Sequence, residues 1–66
     1  MNIILNGSPE TVTDGMTIAA LLQDKGYGDK LVAVAVNGAF TPKSTREEQT
    51  LSDGDTVEIV APMQGG

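Results

Sequence analysis

Apolar and polar residues alternate over residues 56–60, which is the pattern of a strand that buries one face. Residues 2–6 hold a short apolar run between two asparagines and also predict a strand, with Ile3 and Leu5 on one face. Their inward positions are Ile3, Leu5, Val57 and Ile59. We therefore predict a strand at each end of the chain, with these side chains facing a common core.

The first predicted strand leads into a hairpin. The cluster Asn6-Gly7-Ser8-Pro9 is typical of a turn, because its residues favour bent backbone. A short second strand is predicted around Glu10 to Thr13, and Asp14-Gly15 ends it.

One amphipathic helix follows. Thr17 is a suitable N-cap, because its hydroxyl can accept from the unpaired N–H groups of the first turn. Ile18, Leu21 and Leu22 fall on one face at helical spacing, and Gly26 supplies a residue that favours the left-handed conformation ending many helices. We predict about two turns of helix that bury this face on a sheet.

A second hairpin is predicted in the middle of the chain. Leu31 to Val36 is rich in β-branched residues and runs into Asn37-Gly38, a strong signal for a two-residue turn. The returning strand is predicted over Ala39 to Thr41, and Pro42 limits it to a strand end or a sheet edge.

The remaining segments connect these elements. Residues 43–50 are polar and predict at most a turn of helix, with Lys43 and Arg46 expected on a solvated edge rather than steering a partner. Asp53 and Asp55 flank Gly54 and are expected to form a turn rather than to bind a metal. The resulting order is strand, strand, helix, strand, strand, strand. It predicts an α+β domain over residues 1–60, with a mixed sheet of four to five strands packed on one main helix.

Composition narrows the function. The 66 residues contain no histidine and no cysteine, so the commonest general base, the thiol nucleophile and the usual zinc ligands are missing. A net charge of −5 argues against binding nucleic acid or an anionic membrane surface. The chain shows no signal peptide and no membrane span, so we expect a cytoplasmic protein. From the missing residue types we expect no catalytic residue and no bound metal or cofactor.

The chemistry that remains is at the end of the chain. Residues 61–66 form a predicted flexible tail in which Pro62 prevents continuation of a sheet, and Gly65 and Gly66 offer backbone without side chains to a narrow channel. A free α-carboxylate is ionised at neutral pH and is a poor electrophile until it is activated. No phosphate-binding loop is present in the sequence, so ATP and Mg²⁺ would be used by an activating partner.

The whole chain resembles the ThiS family, the sulfur carriers of thiamin biosynthesis within the β-grasp, ubiquitin-like superfamily. The similar segments are Asp14-Gly15-Met16-Thr17, Val34-Ala35-Val36-Asn37-Gly38, and residues 51–60 running into Gly65-Gly66. The resemblance implies a β-grasp fold with the first and last strands side by side at the centre of the sheet.

The resemblance also implies a mechanism. A ThiF-like adenylyltransferase would adenylate the Gly66 carboxylate, a sulfur donor would convert it to a thiocarboxylate, and thiazole synthase (ThiG) would take up the sulfur. The free chain is expected to be a monomer. Three alternatives remain open at this point: a carrier like the small subunit of molybdopterin synthase, a ubiquitin-like modifier that forms amide bonds with lysines, and an interaction domain whose tail has no function.

A docking surface follows if the first and last strands are neighbours. Ile4 and Val60 then present apolar side chains on the open face of the sheet, at the root of the tail. We expect these two residues, with Met63 or Phe40, to form the patch that partners contact.

Overall fold

The computed structural model describes residues 1–28 and 30–61 and shows one helix packed on a five-stranded mixed sheet. The strand order is β2-β1-β5-β3-β4, with β1 and β5 parallel and the other neighbours antiparallel. The elements are β1 (Asn2–Leu5), β2 (Ser8–Thr11), α1 (Ile18–Asp24), β3 (Ala33–Val36), β4 (Ala39–Phe40), a 3₁₀ turn (Lys43–Thr45) and β5 (Thr56–Val60). The predicted α+β class and the central pairing of the first and last strands are confirmed.

The first hairpin turns over two residues instead of four. Asn6 and Gly7 have φ angles of 49° and 83°, so both adopt the left-handed conformation of a tight hairpin turn. Leu5 therefore pairs directly with Ser8, and β2 begins there rather than near Glu10 as we predicted. A proline is tolerated next in β2 because this strand lies at the edge of the sheet.

Local side-chain and backbone bonds fix both ends of α1. The Ala20 N–H donates to the Thr17 hydroxyl oxygen at 3.1 Å, which confirms the predicted N-cap. At the other end Gly26 has a φ of 84°, and the Tyr27 N–H donates to the Leu22 carbonyl at 2.8 Å. In the parts of the chain that the structure describes, no helix has the length and apolarity to cross a membrane.

The core lies between α1 and the inner face of the sheet. The helix stripe that the sequence predicted is buried, and so are the inward positions of both central strands except Leu5, which is half-buried. The buried apolar side chains are Ile3, Val12, Ile18, Leu21, Leu22, Val32, Val34, Val36, Leu51, Val57 and Ile59. Full burial of one such side chain is worth about 1.5–3 kcal/mol, so this layer supplies most of the driving force for folding.

The central hairpin is shorter than its sequence indicated. β3 begins at Ala33, not at Leu31, and Ala33 pairs with Val60, the last residue of β5. Leu31 is 73% exposed. The Asn37-Gly38 turn is confirmed, with φ angles of 52° and 82°, and it returns into the two residues of β4.

Candidate functional site

The chain leaves the sheet from the end of its central strand. β5 buries Val57 and Ile59 against the helix and turns Glu58 and Val60 to the open face. Val60 is 64% exposed, and Ala61, the last residue that the structure describes, follows it directly. A segment that continues from this point therefore starts at one corner of the open face.

An apolar depression lies at that corner. Leu31, Phe40 and Val60 line it, and we call these three residues the exit patch. Phe40 and Leu31 are 68% and 73% exposed, so the patch presents large apolar side chains to solvent. Isolated exposed apolar residues are ordinary, whereas several in one depression mark an interaction surface more often. The sequence predicted Phe40 and Val60 as members of one surface, and the structure places them together.

Ile4 lies elsewhere on the same face. It is 37% exposed, and the parallel register of the central strands sets it beside Thr56, at the start of β5. Val60 is the fourth residue after Thr56, about 13 Å away along an extended strand. The expectation that Ile4 sits at the root of the tail is therefore wrong, because alternation along a strand gives the face but not the register. Met63, Gly65 and Gly66 lie outside the described residues.

Leu31 lines the depression although the sequence did not single it out. Its apolar side chain looked like the first residue of a buried strand, whereas β3 begins two residues later and Leu31 is exposed. The available signal was its position next to Lys30, where a charged neighbour indicates a surface segment.

Basic side chains surround the exit patch. Lys30, Lys43 and Arg46 line the same depression. Arg46 was expected on a solvated edge, but only 8% of it is exposed, and its Nη2 donates to the Val32 carbonyl oxygen at 2.8 Å. The reason is tertiary, since the 3₁₀ turn before Arg46 carries its long side chain against the start of β3.

The fourth basic residue, Lys25, has a separate role. Its Nζ lies 2.9 Å from both carboxylate oxygens of Glu10, which ties the end of α1 to the edge strand β2. This hydrogen bond raises the pKa of Lys25 above its ordinary value of 10.5.

The two aspartates before β5 form the turn that the sequence predicted. Asp53 Oδ1 accepts from the Asn2 N–H at 2.7 Å, and Asp55 Oδ2 accepts from the Ser52 N–H at 2.8 Å. Gly54 between them has a φ of 88°. Among the described residues no group of acidic side chains is arranged to bind a metal ion.

The class of this protein is β-grasp, the ubiquitin-like fold. Its defining features are the parallel central strands, the one helix that covers the sheet, and a chain that leaves the sheet from the end of a central strand. The sequence matches the ThiS family over residues 3–66. The chain belongs to the ThiS family.

Individual relatives agree with this assignment. The sulfur carrier protein ThiS of Thermus thermophilus is 40% identical over 62 residues, which cover 94% of this chain and 95% of that protein. The crystal structure of the thiamine biosynthesis protein ThiS of Geobacter metallireducens superposes with a TM-score of 0.84 at 33% identity and covers 100% of both chains. A thiazole synthase of Paramagnetospirillum magneticum is 38% identical over 66 residues, and this chain spans only 20% of its length.

Proposed function

We propose that this chain is the sulfur carrier of thiamin biosynthesis and that the Gly66 carboxylate holds the sulfur. The observation that supports this most strongly is the match to the ThiS family, which extends through Gly65 and Gly66. The 40% identity to a sulfur carrier protein ThiS supports the same function. The chain then acts as a co-substrate that other enzymes modify and use, and it catalyses no step itself.

The proposed chemistry has two steps at the carboxyl group of Gly66. A carboxylate oxygen of Gly66 attacks the α-phosphorus of ATP, and pyrophosphate leaves. A sulfide-equivalent nucleophile then attacks the acyl carbon of the adenylate, AMP leaves, and a thiocarboxylate remains. Adenylation is needed because an ionised carboxylate resists nucleophilic attack, whereas AMP is a good leaving group.

The activating site belongs to a partner in this proposal. The sequence holds no loop of the type that cradles the phosphates of ATP, so a ThiF-like adenylyltransferase would supply it together with Mg²⁺. The two terminal glycines suit entry of the chain end into such a site, since they add no side chains to the backbone. The reaction consumes ATP, and we place it in the cytoplasm, with the chain monomeric between encounters.

The proposed recipient of the sulfur is thiazole synthase. One relative of this chain carries that name, and the region similar to this chain makes up a fifth of it. That relationship favours thiazole formation over the alternative in which the chain resembles the small subunit of molybdopterin synthase.

The exit patch is the proposed docking surface for the activating enzyme. Phe40 and Val60 are exposed at the point where residues 61–66 begin, so a partner that covers them receives the chain end in one direction. Met63 would extend this surface as the sequence suggested. Ile4 lies apart from the patch, and we assign it to the surrounding face of the sheet.

Intact-mass spectrometry tests the proposed function. The purified chain is incubated with a ThiF-like enzyme, ATP, Mg²⁺ and a sulfide donor, and the expected product gains the mass difference between sulfur and oxygen at Gly66. Omission of ATP is the control and should leave the mass unchanged. An unmodified chain under complete conditions would refute the proposal, and a ladder of heavier lysine conjugates on denaturing gels would indicate a protein modifier instead.

A further inference from the structure

The positive charge of this acidic protein is concentrated at one place. The chain has only four basic side chains and a net charge of −5. Three of the four, Lys30, Lys43 and Arg46, line the depression that contains the exit patch. The fourth, Lys25, is engaged with Glu10. A local positive field on an otherwise negative surface favours one kind of contact, a negative group delivered by a partner.

Arg46 is the most informative member of this cluster. It is buried, and among the described residues its Nε has no hydrogen-bond partner. Burial of a guanidinium group is costly unless its donors are satisfied, and neither Lys43 nor Arg46 forms an ion pair within the described part of the chain. The Arg46 side chain also lines the depression, where a partner's carboxylate can accept a hydrogen bond from its guanidinium group.

The surroundings specify the ligand further. Leu31, Phe40 and Val60 form apolar walls beside the cations, so the depression suits an apolar side chain that has a carboxylate next to it. Lys30 and Lys43 stand at an exposed rim, where a charge attracts a partner through solvent. A segment of protein with both features fits this combination better than a free inorganic anion, which gains nothing from the apolar walls.

We propose that an Asp or Glu side chain of the activating enzyme binds in this depression, to Arg46 and Lys43, while a neighbouring apolar side chain covers Phe40 and Val60. This inference rests on the proposed function, because it identifies the chemistry by which the activating enzyme recognises the carrier. The pairing of opposite charges makes docking specific, and the exit patch supplies the apolar contact area.

A matched pair of variants tests the inference. Lys43→Gln and Lys25→Gln change the net charge equally, but only Lys43 lies in the depression. The dissociation constant for the ThiF-like enzyme is measured by calorimetry without ATP, at low and at high salt. We expect Lys43→Gln to weaken binding about fivefold at low salt, with a smaller difference at high salt, and Lys25→Gln to stay within about twofold of the wild type. Equal losses for the two variants would overturn the inference.

A spectroscopic signal reports on Arg46 without mutation. It is the only arginine in the chain, so its Nε–H group gives a single assignable signal in a ¹⁵N spectrum. In the perdeuterated, ¹⁵N-labelled chain bound to the enzyme, we expect this signal to shift, because a carboxylate at the guanidinium group changes the environment of its Nε. A signal that keeps its free-chain position at saturating enzyme would contradict carboxylate binding at Arg46.

Mass analysis of the same samples distinguishes failure of the carboxylate site from failure of the proposed function. Thiocarboxylate formation on every variant, with no special effect of Lys43→Gln on binding, would refute only the carboxylate site. A wild-type chain that neither binds the enzyme nor gains sulfur would refute the proposed function, and the carboxylate site with it.

Discussion

The side chain of Asn6 holds the backbone of Ile59. The Ile59 N–H donates to Asn6 Oδ1 at 2.8 Å, just beyond the parallel pairing of Leu5 with Val57. The Asn6 side chain thereby adds a hydrogen bond between the first hairpin turn and β5, next to the backbone hydrogen bonds that join the two central strands. Val60 follows immediately, so this bond holds the end of β5 beside the first hairpin turn.

Asn6→Gly is expected to lower the free energy of unfolding by about 1 kcal/mol, the net value of one hydrogen bond. Glycine keeps the positive φ of the turn, so the loss reports the bond to Ile59 and not backbone strain. Urea denaturation measures it. Asn6→Asp is the control, because aspartate retains the acceptor oxygen and tolerates the left-handed conformation. A larger loss for Asn6→Asp than for Asn6→Gly would contradict this account.

Asp55 joins two turns that are distant in sequence. Its Oδ1 accepts from Asn37 Nδ2 at 3.0 Å, and its Oδ2 accepts from the Ser52 N–H. Because Asp55→Ala removes both acceptors, we expect a loss of about 1–2 kcal/mol in unfolding free energy. Glu48→Ala removes the same charge from an exposed position and should change stability by less than about 0.5 kcal/mol. Indistinguishable denaturation midpoints for the two variants would show that Asp55 is not structural.

The Lys25–Glu10 pair gives a pH prediction. The folded pKa of Lys25 is raised above its unfolded value of 10.5, so the pair stabilises the fold fully below that value, and the contribution disappears as the pH rises through the folded pKa. NMR titration of the Lys25 side chain should give a pKa above 10.5, and Glu10→Gln should bring it back towards 10.5. An identical titration curve in the wild type and in Glu10→Gln would rule out the pair as the cause.

Val60→Asp should reduce adenylation by the ThiF-like enzyme at least about tenfold in kcat/KM, because it places a charge within the apolar exit patch. The side chain of Val60 is exposed, so circular dichroism should show an intact fold. Ile4→Asp carries the same substitution on the same face of the sheet, beside Thr56, and is expected to have a clearly smaller effect. If Ile4→Asp impaired adenylation as strongly, the docking surface would have to extend across the whole open face.

Features that depend on neighbours along the chain were predictable from sequence. The N-cap at Thr17, the left-handed residue Gly26 and the two-residue turn at Asn37-Gly38 are local, and the structure confirms each of them. The inward faces of the two central strands were predictable as well, because alternation is a property of the strand itself.

Features that depend on long-range pairing were not predictable in the same way. The position of Ile4 follows from its register with Thr56, and Leu31 is exposed because β3 begins two residues later. The burial of Arg46 depends on the Val32 carbonyl oxygen, which accepts its hydrogen bond across fourteen residues of sequence. These relationships do not appear in the periodicity of the sequence. The exposure of Leu31 and the burial of Arg46 determine the shape of the candidate site.

The central claim is that the reactive group is the carboxylate of Gly66, and a competition measures it most directly. The native chain and a chain with one alanine appended after Gly66 are mixed with the ThiF-like enzyme, ATP, Mg²⁺ and a sulfide donor, and both masses are followed in one sample. We predict that only the native chain gains the mass difference between sulfur and oxygen. Equal conversion of the extended chain would contradict the claim.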